Sequence, residues 1–226
     1  MTVEKSRALN QTPFLQADVT LTDRAYAELE ELIVTLQLPP GTALSELVLA
    51  GRLGIGRTPI REALQRLSRD GLVNILARRG VLVSEIDLRA QLRLLEVRRE
   101  LERLMARGAA ERATNEQRAQ FVEIASGMRQ AADQSDDLLF MRLDQKFNTL
   151  VSVASRNEFA SRAMGLMHGL SRRFWYQHYK EAADLPLAAR LHAEVAEAIV
   201  ERRIDAAGEA SDRLMDYIES FARSTL

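Results

Sequence analysis

The sequence predicts a mainly α fold in two parts: three short helices with a small β-hairpin, then an all-α bundle of six helices. Three observations carry this. The chain has 226 residues, and at roughly 100–200 residues per domain that suits two modest domains. Two short β-like runs, Leu72–Leu76 and Val81–Val83, lie close together in the first third. Beyond residue 88 proline occurs once, at Pro186, and apolar residues recur with helical rather than alternating spacing.

Residues 1–20 read as a flexible N-terminal arm. Met1 to Asn10 is polar and carries Glu4, Lys5 and Arg7, so it lacks the apolar run of a signal peptide. A first helix fits 23–37, capped by Thr22 or Asp23 and striped by Ala25, Leu29, Leu32, Ile33 and Leu36. Pro39-Pro40-Gly41 stops it. A second helix fits 45–53 with Ser45 as its cap, and Gly54 and Gly56 mark a tight turn. A third runs about 57–70 and ends at Gly71. The two β-like runs follow, with Ala77-Arg78-Arg79-Gly80 as the hairpin tip. Helix, helix, turn, helix and two-stranded ribbon is the order of a winged helix-turn-helix.

Six helices are expected near 88–112, 115–133, 136–154, 157–180, 186–203 and 205–224, with Asn115, Asp136 and Asn157 as caps. The domain reading is a winged helix-turn-helix over 21–86 and an all-α domain over 87–226.

Composition narrows the function. There is no cysteine, which excludes disulfides, thiolate catalysis and cysteine zinc sites and fits a cytoplasmic protein. No apolar run is long enough for a membrane span. Net charge is −1, so a nucleic-acid surface must be local. It is local: from 47 to 80 there are seven arginines and two acids, a difference of +5. On the third helix Ile60, Ala63, Leu64 and Leu67 share one face. Arg57, Arg61, Gln65 and Arg69 share another, with Thr58 beside them. A charged helix face is often merely solvated. Guanidiniums in this array nonetheless match phosphates and guanine edges, which they grip with two parallel hydrogen bonds.

The run Gly54-Ile55-Gly56-Arg57-Thr58-Pro59-Ile60-Arg61-Glu62-Ala63-Leu64 resembles the core signature of the GntR family of bacterial transcription regulators. Pro40-Gly41, Leu44-Ser45-Glu46, Asp70-Gly71-Leu72-Val73 and Arg78-Arg79-Gly80-Val81 extend the resemblance over some forty residues. It implies that Arg57, Thr58 and Arg61 touch DNA from the recognition helix, with Gln65 on the same face. It also implies that Arg78, Arg79 and Gly80 form a wing tip that enters the minor groove. The family usually has Ser or Thr where Gly56 stands, so a hydroxyl contact to phosphate is lost while the backbone N–H remains. Glu62 reads as a structural residue rather than a base reader.

In the second domain Asp144 lies among the apolar positions Phe140, Leu143 and Phe147, with Asn148 one turn on, and His192 shares a helix face with Ala188, Val195 and Ile199. A carboxylate so placed needs a partner. Arg98 is one candidate; a polar site shared with Asn148 and His192 is the other, and such a site could hold a divalent metal or a polar ligand. His168 and His178 flank Ser171–Tyr176, an aromatic and basic stretch that serves as core and rim or lines a pocket.

Leu95–Glu102, Asp144–Asn148 and Leu191-His192 resemble the FCD domain of the FadR branch of the same family. That resemblance implies a ligand cavity in which Arg98, Asp144, Asn148, His192 and Tyr217 meet the effector, with Arg98 on an anionic group. The family's metal ligands are one Asp and three His. Here Asp144 and His192 match, Asn148 replaces one His, and Leu214–Tyr217 replaces the last. The implied cofactor is a divalent metal, Zn²⁺ by the family pattern, on Asp144, Asn148 and His192. The implied protein is not an enzyme. It is a homodimeric repressor of palindromic operator DNA, controlled by a small organic acid. The rivals are an architectural DNA-binding protein without effector and a metal-dependent bundle enzyme, and the lack of a Glu-x-x-His pair disfavours the latter.

Overall fold

The computed structural model describes residues 20–78 and 80–225. The expected arm, residues 1–20, therefore lies outside the described residues save for Thr20, as does Arg79 at the hairpin tip.

The head begins with α1 (Leu21–Val34). Thr20 caps it, accepting from the Asp23 N–H while the Asp23 carboxylate accepts from the Thr20 N–H. This reciprocal capping box starts the helix two residues before the expected position. It stops earlier too, because Leu36 turns left-handed at φ 60° ahead of the two prolines. Ala25, Leu29 and Ile33 are buried as their spacing predicts. Next come β1 (Ala43–Leu44), α2 (Glu46–Leu53) and α3 (Arg57–Arg69), with Gly54 left-handed at the turn. The hairpin is β2 (Val73–Leu76) and β3 (Gly80–Val83). The ribbon is a three-stranded antiparallel sheet in the order β1-β3-β2, pairing Ala43 with Leu82 and Val73 with Val83. β1 was not foreseen, because two residues are too short to show alternation.

Six helices follow: α4 (Leu88–Arg112), α5 (Asn115–Gln134), α6 (Asp137–Ala154), α7 (Glu158–Ala182), α8 (Leu185–Val200) and α9 (Ile204–Ser224). Asp136 and Asn157 are caps as expected, whereas α5 is capped by Thr114 through a box with Gln117. α5 and α8 form the centre of the bundle. Their facing surfaces carry alanines, Ala125, Ala131, Ala189 and Ala196 among them, and these small side chains let the helices approach. Phe121, Met128 and Ile199 fill the space between, each contributing about 2 kcal/mol by burial.

Helix α7 joins the bundle to the head. Leu170 packs on the head's core, and a Cβ at Gly169 would meet Leu72 Cδ1 and Glu30 Oε1 at 2.9 Å, so a larger residue there would push these side chains aside. Arg173 is 2% exposed and donates to the Ser84 carbonyl (2.9 Å), the Ser84 hydroxyl (3.1 Å) and the Glu85 carbonyl (3.2 Å), fastening α7 to the segment between head and bundle.

Candidate DNA interface and effector cavity

Helix α3 buries Ile60, Ala63, Leu64 and Leu67 against α1 and leaves Arg57, Thr58, Arg61, Gln65 and Arg69 exposed. The cation face is therefore presented to solvent, as its spacing predicts. Gly56 is the N-cap and gives no side-chain cap, so the first N–H groups of α3 remain open to a phosphate. Arg78 and Gly80 are exposed at the hairpin tip, both at positive φ, 64° and 93°.

Glu46, not singled out from the sequence, organises this face. Arg61 donates Nε and Nη2 to its two oxygens at 2.9 and 2.8 Å, and Arg57 lies 3.8 Å away. The Arg61 hydrogen bonds hold the Glu46 carboxyl below the usual carboxylate range. The Glu62 carboxylate accepts from the Thr22 hydroxyl at 2.7 Å, tying α3 to α1.

The bundle contains a cavity of about 250 Å³. Arg98 from α4, Asp144 and Asn148 from α6, His192 from α8 and Tyr217 from α9 all line it. Five residues drawn from four helices thus come together. The stretch read as rim or pocket also lines it, through His168, Ser171, Arg172, Phe174, Trp175 and Tyr176; Arg173 and His178 do not. A second cavity of about 370 Å³ lies on the far side of Arg98, Glu102, Asn148 and His168 and reaches Tyr26, Glu30 and Arg66 of the head.

Asp144 takes His192, not Arg98, as its partner. The His192 Nε2 is 3.1 Å from Asp144 Oδ1, and its Nδ1 is 2.8 Å from the Ala188 carbonyl. Burial acts against both charges. The bonds between them outweigh it, raising the His192 pKa and lowering that of Asp144. As an imidazolium His192 donates from both ring nitrogens. Arg98 instead pairs with Glu102 one turn along α4, through both Nε and Nη2. Glu102 stood at i+4 in the sequence, the spacing that lets such a pair form.

The metal-ligand reading needs correction. Among the described residues no three His, Cys, Asp or Glu side chains cluster to hold a metal ion. Asn148 turns its amide N–H to Asp144 Oδ1 at 3.0 Å, and the Tyr217 hydroxyl donates to the Asp184 carbonyl at 2.9 Å. Burial also pushes the Tyr217 phenol up to about 12, so it offers no phenolate. One carboxylate and one imidazole remain, and they satisfy each other. Zn²⁺ sites use three protein ligands or more, so these residues do not fit the metal.

A basic recognition helix beside a wing, joined to a helical bundle with a cavity lined by both rings and charged side chains, defines a DNA-binding regulator with a ligand-binding domain. The chain belongs to the GntR family of bacterial regulatory proteins: that family's model matches residues 21–83, and the FCD domain model matches residues 93–217. It is 29% identical over 226 residues to an uncharacterized HTH-type transcriptional regulator, YdfH, of Escherichia coli, covering 99% of this chain and 94% of that one. It is also 29% identical over 201 residues to the HTH-type transcriptional repressor RspR of Escherichia coli, covering 88% and 87%. Among solved structures, Escherichia coli McbR/YncC superposes with a TM-score of 0.79 at 20% identity, covering 92% of this chain and 99% of the other, and so shares the fold. These relatives are transcription regulators, not enzymes. Among the described residues no helix is long and apolar enough to cross a membrane.

Proposed function

We propose that the protein is a cytoplasmic, ligand-responsive repressor that binds palindromic operator DNA as a homodimer. Residues 21–86 form the DNA-binding domain and residues 87–226 the effector-binding and dimerisation domain. Arg57, Thr58, Arg61 and Gln65 read the major groove, and the wing from Arg78 to Gly80 contacts the adjacent minor groove. Two copies related by a two-fold axis place two recognition helices on adjacent half-sites.

One observation carries the effector reading. Arg172 lines the cavity and bridges to Glu31 on α1 at 3.1 Å, so a cavity wall is in contact with the DNA-binding head. A ligand that binds better to one placement of the heads shifts the chain toward it and changes operator affinity by its differential affinity. An architectural protein without effector has no use for such a cavity. The organic-acid effector expected from the sequence draws less support, because Glu102 already neutralises Arg98.

The test is a titration of promoter DNA beside the protein's own gene at fixed salt, with wild type and Arg57→Ala/Arg61→Ala. Tight binding over a scrambled duplex, lost in the double variant, supports the reading. Equal weak binding of wild type to both duplexes counts against it.

A further inference from the structure

We propose that the effector cavity takes a small aromatic compound whose buried end is an uncharged hydrogen-bonding group, held by Ser171 and His168. The inference rests on the ligand-responsive reading above and names the chemistry of the ligand.

Two features define the site. One is a run of rings along its wall. Phe140 lies 6.2 Å from Trp175, Trp175 lies 4.5 Å from Phe221, and Phe221 lies 6.1 Å from Phe174, all centroid to centroid and tilted or edge-on. All four rings line the cavity. Rings at these angles leave faces and edges for one more ring.

The other feature is a pair of polar atoms with nothing to bond. Ser171 is 7% exposed, and its Oγ has no hydrogen-bond partner among the described residues; the same holds for the buried His168 Nε2. Both residues lie on α7, three apart and so on one face, and both line the cavity. A buried hydroxyl and imidazole nitrogen left unpaired each carry an uncompensated desolvation cost, and a bound ligand would relieve it. Burial lowers the His168 pKa despite nearby Asp144, so its imidazole is neutral near pH 7. The hydroxyl and the neutral ring nitrogen can donate or accept, which suits a phenol, amide or alcohol.

The buried charges of the wall are already matched, while Arg142, which also lines the cavity, is exposed and donates to the Leu138 carbonyl. Arg98 is paired with Glu102, Asp144 with His192 and Arg172 with Glu31. A carboxylate driven among the buried rings, away from the exposed Arg142, would be desolvated beside cations that are already paired.

Trp175 is the chain's single tryptophan, so its emission reports the cavity directly. Full-length protein is titrated with phenol, benzamide, benzoate, cyclohexanol and succinate, following Trp175 emission, and operator affinity is measured in parallel. Phenol and benzamide are expected to saturate the signal at least tenfold more tightly than benzoate and cyclohexanol, and succinate not at all. Ser171→Ala and His168→Leu should each weaken phenol about tenfold. Ser171→Ala should leave the thermal midpoint of the free protein unchanged or higher, since its hydroxyl makes no bond there. Benzoate or succinate binding more tightly than benzamide overturns the proposal, as does binding by no probe or phenol affinity indifferent to both variants. Loss of operator binding in wild type sinks the regulator reading instead and leaves the Trp175 result standing.

Discussion

The Arg172 guanidinium, on the wall of the effector cavity, lies 3.1 Å from the Glu31 carboxylate on the DNA-binding head. Glu31 and the cavity-lining face of α7 are far apart in sequence and meet only in the fold. The pair joins the cavity wall to the DNA-binding head. It is half-exposed, so its own stabilisation is small, less than about 1 kcal/mol.

Glu31→Gln is therefore expected to leave thermal stability and operator affinity of the free protein nearly unchanged. The change in operator affinity on adding ligand should shrink at least threefold. Arg172→Gln should do the same, and the double variant should be no worse than either single one. A full ligand response in both single variants would show that the response does not pass through this pair.

Arg173 is a different case, because it is buried. Burial lowers its pKa to about 10, so it stays charged at neutral pH. Arg173→Met would strand the Ser84 and Glu85 carbonyls and is expected to cost about 2–4 kcal/mol in urea unfolding. A loss under 1 kcal/mol would mean that those carbonyls find other partners.

Two glycines of α7 should respond oppositely to alanine. At Gly169 the new methyl would sit 2.9 Å from Leu72 Cδ1 and from Glu30 Oε1, so Gly169→Ala should destabilise by about 1–3 kcal/mol through the head–bundle contact. At Gly165 nothing lies within 4 Å, and alanine should stabilise by up to about 1 kcal/mol through helix propensity alone. Equal effects at both sites would show that the head does not rest on Gly169.

The Asp144–His192 pair predicts a pH dependence. The His192 pKa is raised above 6.5, so its contribution is complete below that value and is lost as pH rises through the folded-state pKa. The Asp144 pKa is lowered below 3.8, so its contribution is complete above that value and is lost as pH falls through the folded-state pKa. Unfolding free energy should therefore decline more steeply above pH 6.5 in wild type than in His192→Gln. A chelator should leave the profile unchanged. Parallel slopes, or a chelator-dependent one, would overturn the direct pairing.

Much of this was legible along the chain. The third helix showed its apolar and cationic faces, because a helix repeats every 3.6 residues and burial follows that period. The caps Asp136 and Asn157 were readable because capping is a local hydrogen bond. Asp144, Asn148, His192, Arg98 and Tyr217 could be named as converging because the family pattern spaces them. What they do to one another could not be read. Asp144 chose His192 over Arg98 because Arg98 had Glu102 within its own helix, a competition that spacing permits but does not decide.

The sequence by itself determined the helices and the β2–β3 hairpin, the basic face of α3 and the family, since these depend on local periodicity, capping and contiguous motif. Only the tertiary structure decided which charges pair with each other, that Asn148 donates to Asp144, and that Ser171 Oγ and His168 Nε2 are buried unpaired in the wall of a ring-lined cavity. Those outcomes depend on distances between helices far apart in the chain, where burial in a low-dielectric interior makes each polar group take whichever partner the packing brings within reach.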